Sequence, residues 1–105
     1  MKMIVVLTTI DSEDSAETIA GTLVDRRLAA CVQISKIDSV YSWKGEVQKD
    51  AEWRLLVKTV EDRYKDVETT IRETHTYELP AIIAVPVERA YEPFAAWVAD
   101  NSSGL

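Results

Sequence analysis

The sequence predicts an α+β subunit, ordered β-α-β-β-α-β with a terminal helix, from which a long β-hairpin projects. Three observations predict it. Two nearly continuous apolar, β-branched runs, Met3 to Ile10 and Ala81 to Val85, suit buried strands. Two segments repeat apolar residues at helical spacing. Between them, Cys31 to Thr59 reads as two extended arms joined by a tight turn.

The first strand, Met3 to Ile10, runs into Asp11-Ser12, an N-cap signal, with Glu13, Asp14 and Glu17 favourable at the positive end of a helix dipole. Ala16, Ile19, Ala20, Leu23 and Val24 then mark one face of a helix from 13 to about 27, with a basic end at Arg26-Arg27.

The hairpin follows. Gly45 supplies the positive φ that a two-residue turn needs, so Lys44-Gly45 is the natural loop at the tip, Tyr41-Ser42-Trp43-Lys44-Gly45-Glu46. That turn sets the register: Trp43 opposite Glu46, Ile34 opposite Leu55, Val32 opposite Val57. On the returning arm Val47, Ala51, Trp53, Leu55 and Val57 face one way, and Glu46, Gln48, Asp50, Glu52, Arg54 and Lys58 the other. From Glu46 to Thr59 are 14 residues, an extended length of roughly 46 Å. A compact chain of this size is about 33 Å across. The ribbon therefore overshoots its own domain, and a lone two-stranded ribbon is marginal in water. Its tip is expected to pack on a neighbouring subunit.

Thr59, three residues before Asp62, is a second N-cap signal. Tyr64, Val67, Ile71 and Thr74 mark the face of a helix ending near His75. Tyr77-Glu78-Leu79-Pro80 is a connection, since Pro80 disfavours helix at the residue before it. After the strand Ala81 to Val85, Pro93 opens a short helix with Phe94, Trp97 and Val98 expected inward. Asn101 to Leu105 is expected to fray. The whole order is the split-βαβ, ferredoxin-like plan, an antiparallel sheet with two helices on one face.

Size and composition describe one domain, 1–105, with 47% hydrophobic and 29% charged residues. A net charge of −6 with no basic patch argues against nucleic acid or an anionic membrane as partner. No apolar run is long enough for a signal peptide or a membrane span, which points to the cytoplasm.

Chemistry is sparse. Cys31, the only cysteine, is either a small buried hydrophobe or a soft ligand for Cu(I), and one thiol makes no site alone. His75, the only histidine, is either a cap at a helix end or a metal contact, with Glu78 close in sequence. Tyr41, Trp43 and Tyr77 suit an interface or an aromatic pocket. Asp50 and Glu52 share a strand face, as solvated carboxylates or as donors to a hard cation. No nucleophile elbow, phosphate loop or paired metal-binding histidines occur, and the loop Thr8 to Glu13 is too acidic to hold phosphate. A non-enzyme is expected.

Leu28-Ala29-Ala30-Cys31-Val32, Tyr41-x-Trp43-x-Gly45, Asp50-x-Glu52, Leu56-Val57-Lys58-Thr59 and His75-x-Tyr77-Glu78-x-Pro80, in that order, resemble the CutA divalent-cation tolerance proteins. The resemblance runs from about Ile4 to Trp97. It implies a ferredoxin-like subunit in a tight homotrimer assembled through its hairpins. It also implies tolerance to divalent metals, copper foremost, and a pocket between subunits. On it rest His75 as metal ligand, Cys31 as the second, and Tyr77, Glu78, Trp43, Glu52 and Lys58 as the shapers of that pocket. Copper or another divalent cation is then a bound ion that folding does not require. Two departures stand out: His75-Thr76-Tyr77 where the family commonly has His-Pro-Tyr, and Thr8 and Thr74 where copper ligands are proposed in the family. A rival reading is a trimeric sensor resembling the PII signalling proteins, with Lys58, Arg54 and Tyr77 meeting an anionic metabolite. A third is a structural trimer that anchors another protein.

Overall fold

A computed structural model describes residues 1–104. The elements are β1 (Met3–Ile10), α1 (Glu13–Asp25), β2 (Cys31–Trp43), β3 (Glu46–Val60), a 3-10 turn (Glu61–Arg63), α2 (Tyr64–Thr74), β4 (Ile82–Pro86) and α3 (Glu92–Asp100). The strands form one antiparallel sheet in the order β2-β3-β1-β4.

Side chains alternate across the sheet, so each face has its own cover. On one face Ile4, Val6, Ile10, Leu55 and Val57 meet Ala16, Ile19 and Leu23 of α1 and Val67 and Ile71 of α2. Each of the larger side chains buried there contributes about 1.5–3 kcal/mol. The sequence expects β1 to be buried on both faces; instead Val5, Leu7 and Thr9 are only half-buried. Over the second face α3 covers one end, where Val98 packs on Met3 and Val60. The rest of that face stays open, with Ile83 and Val85 exposed.

The hairpin forms in the expected register. Lys44 and Gly45 both have positive φ, 51° and 81°, as a type I′ turn requires, and Trp43 pairs with Glu46, Ile34 with Leu55 and Val32 with Val57. β1 stops at Ile10, opposite Trp53. Beyond that point β2 and β3 continue as a ribbon that carries Val40 and Val47, 66% and 79% exposed. The molecule is accordingly elongated, 44 × 26 × 21 Å.

The ends of the elements show which local signals win. Ser12 caps α1, its Oγ accepting the Ser15 N–H at 3.1 Å. α1 ends earlier than expected, in a Schellman motif: the Leu28 N–H donates to the Leu23 carbonyl at 2.9 Å and that of Arg27 to Val24 at 3.0 Å. Arg27 occupies the left-handed position, φ 57°, where glycine is the usual residue. Its guanidinium donates to the Asp100 carbonyl and to Ser103 Oγ, and its own carbonyl accepts the Gly104 N–H at 2.9 Å. Those bonds correct the expectation of a frayed tail: 101–104 is fastened to the α1–β2 corner and Ser102 is buried. Leu105 lies outside the described residues.

Thr59 is no N-cap. β3 runs on to Val60, and the Thr59 hydroxyl donates to the Leu28 carbonyl at 2.7 Å, tying β3 to the start of β2. α3 turns only Val98 fully inward. Phe94 and Trp97 stack on each other, ring centroids 5.6 Å apart, and remain partly exposed, because nothing lies over the open end of that face.

Leu55 is fully buried at the centre of the larger core. Leu55→Ala is expected to cost about 2–5 kcal/mol through lost transfer energy and a residual cavity. Urea unfolding of the two proteins, read at an unchanged m-value, checks this.

Candidate functional site

The site begins where β1 ends. Glu52 is the first residue of β3 beyond the last β1 partner, and it has no strand on that side. The connection after α2 fills the gap. α2 closes with the Thr74 hydroxyl donating back to the Thr70 carbonyl at 2.7 Å, and His75 turns to extended backbone, φ −84° and ψ 149°. Tyr77 then reaches Glu52, its phenol donating to Oε2 at 2.7 Å.

His75 holds this connection in place with both ring nitrogens. The Tyr77 N–H donates to Nδ1 at 3.1 Å, so the ring proton belongs on Nε2, which donates to the Thr9 carbonyl at 2.7 Å. The imidazole also meets the Tyr77 ring edge-on, centroids 4.7 Å apart. Three elements thus converge: the end of β1 through Thr9, the connection through His75 and Tyr77, and β3 through Glu52.

Between the connection and the ribbon lies a cleft of about 750 Å³, within the usual size for a small-molecule site. Its walls include Tyr41, Trp43, Tyr77, Glu52 and Glu78, with Thr9 at the base, and none of its lining residues is basic. Tyr41, on the ribbon, donates to Asp50 across the strands. Two of the cleft's phenols are shifted. Burial first, then the bond to Glu52, pushes the Tyr77 hydroxyl well above its ordinary range. The bond to Asp50 is the largest cause raising Tyr41. Both hydroxyls are protonated donors to carboxylates at neutral pH.

Of the residues singled out from sequence, Trp43, Glu52, Tyr77 and Glu78 line one cleft. Lys58 does not. It pairs with Cys31 and Val5 toward the other end of the sheet, its ammonium 5.3 Å from the Phe94 ring centroid. Cys31 is a half-buried free thiol at that same end. Cys31 and His75 therefore do not form one metal site within the chain: along β3, Cys31 sits opposite Lys58 and the His75 acceptor Thr9 opposite Arg54. His75 also has no idle nitrogen, so a metal there has to displace Thr9 or Tyr77. Among the described residues, no three His, Cys, Asp or Glu side chains converge as a metal cage. Thr9 escaped the sequence reading because it acts through its carbonyl, which carries no side-chain signature. The Tyr41–Asp50 contact was readable, being diagonal to the Tyr41–Gln48 pair that the turn dictates.

Fold and site together define a small α+β domain with an overhanging ribbon and an acidic, aromatic cleft at its root. The sequence matches the model of the CutA1 divalent ion tolerance protein family over residues 4–101. It is 40% identical over 99 residues to the divalent-cation tolerance protein CutA of Thermus thermophilus, covering 93% of this chain and 96% of that protein. Identity to the CutA of Thermotoga maritima is 36% over 99 residues, 94% and 98% of the two chains. Among solved structures, a divalent cation tolerance protein from Thermus thermophilus superposes with a TM-score of 0.92 at 40% identity, covering 95% of this chain and 98% of that one. One from Archaeoglobus fulgidus, described as a periplasmic divalent cation tolerance protein, gives 0.93 at 32% identity with the same coverage. This chain belongs to the CutA1 family.

Tyr77→Phe removes a hydrogen bond to a buried carboxylate and is expected to cost about 1.5–3 kcal/mol. Because the folded phenol has a raised pKa, its stabilisation is complete below about pH 10, the unfolded value, and is lost as pH climbs through the folded one. Stability measured against pH should thus fall more steeply above pH 10 in the parent than in Tyr77→Phe.

Proposed function

We propose that this chain is the ferredoxin-like subunit of a homotrimer that binds a divalent cation, copper foremost, and answers metal load by binding and not by catalysis. The observation that carries the reading is the cleft at the ribbon root: acidic, aromatic and without a basic lining residue. Such a lining attracts cations and repels anions, and so disfavours a sensor of an anionic metabolite. Of the three groups that rival invokes, Lys58 lies toward the far end of the sheet, while Tyr77 lines the cleft and Arg54 stands two residues from Glu52.

The trimer rests on the overhang. Val40 and Val47 on the ribbon and Ile83 and Val85 on the open face leave apolar side chains in water on two surfaces, the pattern of unmet protein contacts. Sister subunits are the economical cover, and they set the cleft at a subunit boundary. The strand order β2-β3-β1-β4 supports the ferredoxin-like plan, the two β-α-β halves being interleaved in one sheet. No helix among the described residues is long and apolar enough to cross a membrane. The cytoplasm is the proposed location, tested by fractionation, since the Archaeoglobus fulgidus relative is described as periplasmic.

His75 is the proposed copper ligand and Cys31 the second, each completed by donors of a neighbouring subunit and not by one another. A saturable copper isotherm is expected, weakened by His75→Ala and by Cys31→Ser; unchanged isotherms in both variants overturn the ligand assignment. Light scattering in dilute buffer should report about three times the 11.8 kDa chain mass, and Val47→Glu should lower it. A folded monomer in the parent refutes the trimer.

A further inference from the structure

The C-terminal tail is fastened by a residue in a strained conformation. Arg27 has φ 57°, in the left-handed region that costs free energy for any residue with a Cβ and persists only where surrounding contacts enforce it. Those contacts come from the other end of the chain. The Arg27 guanidinium donates to the Asp100 carbonyl and, at 3.0 Å, to Ser103 Oγ, while the Arg27 carbonyl accepts the Gly104 N–H at 2.9 Å. Side chain and backbone of one residue thus grip the tail together.

The tail is shaped for that grip. Gly104 has φ 78°, and a Cβ there would lie 3.1 Å from Arg63 Nη1, so the backbone passes against a second guanidinium with no room for a side chain. Ser102 is fully buried, its Oγ meeting no hydrogen-bond partner among the described residues. Burying an unpaired hydroxyl opposes docking. Docking therefore carries two costs, the strain at Arg27 and the burial of Ser102, which the Arg27 bonds offset. All of this stands at the Met3–Val60 end of the sheet, away from the ribbon root.

We propose that Arg27 is the latch of a strap: residues 101–104 and the corner between α1 and β2 open and close together, separately from the main core. Arg27 is a positioning residue in this device, and its left-handed backbone is maintained by the docked tail. Opening relaxes the turn that feeds β2, where the Ala30 N–H donates to the Lys58 carbonyl at 3.0 Å. The state of the tail is thereby passed to the start of β2, beside Cys31. Linkage makes the coupling reciprocal: a displaced tail loosens the corner, and a loosened corner frees the tail.

Amide hydrogen exchange on the full-length protein in its native assembly tests this. Arg27→Gly relieves the strain but removes the guanidinium. Exchange at Ser102 and Gly104 is expected to accelerate at least about tenfold, as for the loss of one hydrogen bond from a charged donor, while Val6 and Val57 in the core change less than about twofold. Gly104→Ala leaves Arg27 intact but obstructs the docked tail. It should free the Ser102 amide and also that of Leu28, which closes the corner on the Leu23 carbonyl, and it carries the test if Arg27→Gly fails to fold. Tail amides already unprotected in the parent, tail protection unchanged in a folded Arg27→Gly, or release only in step with Val6 and Val57 overturn the strap. A Leu28 amide that ignores Gly104→Ala overturns its coupling to the corner.

Discussion

The structure depends on a mismatch of strand lengths. β3 runs 15 residues while its inner neighbour β1 runs 8, so half of β3 has a partner on one side only. The backbone groups that β1 fails to meet need other partners or water, and the ribbon needs lateral support it does not get from its own sheet. The local features at the root of the ribbon follow from that. The connection after α2 folds into the vacated lane, the Tyr77 phenol meets Glu52, and the ribbon and connection become the two walls of a cleft. Had β1 extended further, Glu52 would face another strand and no cleft would form there.

His75 is best understood within that constraint. A connection placed in an empty lane has little to hold it, and Pro80 prevents the preceding residues from continuing a helix. The imidazole solves this with two bonds of opposite sense, accepting from Tyr77 and donating to Thr9. A neutral imidazole can do both at once; the charged form has two donors and no acceptor. The ring therefore positions the Tyr77–Glu52 contact whether or not it also meets a metal, and a substitution at His75 disturbs the cleft by either route.

Most of the fold was legible because its signals were local and mutually consistent. Lys44-Gly45 sets the turn, the turn sets the register, and the register brings Ile34 to Leu55 and Val32 to Val57. What escaped was decided by distant partners. Thr59 has the sequence look of a cap, but a carbonyl at Leu28, 31 residues away, claims its hydroxyl. The tail from Asn101 looks free until Arg27 is seen to hold it. Glu52 lies on what alternation marks as the wet face, and only the arrival of the connection buries it. Of the five residues named for a pocket between subunits, Trp43, Glu52, Tyr77 and Glu78 line the cleft of the single chain. Lys58 lies further along the same face, because alternation shares a face without saying how far along it two residues sit.

That distance along the face also separates two chemistries. At one end Cys31 and Lys58 stand opposite each other, with Phe94 over the ammonium. At the other, Glu52, Glu78 and three aromatic rings enclose an acidic space. With the strand rise near 3.3 Å, the residues from Glu52 to Lys58 put roughly 20 Å between the ends. Lys58 is thus well over a Debye length from the cleft in physiological salt, whereas Arg54, two residues from Glu52 on the same face, stays close to it. The near field at the cleft comes from Glu52 and Glu78, offset by Arg54 and by the Lys44 ammonium beside the Trp43 ring, and the strand mismatch that opened the cleft is what brings these groups to it.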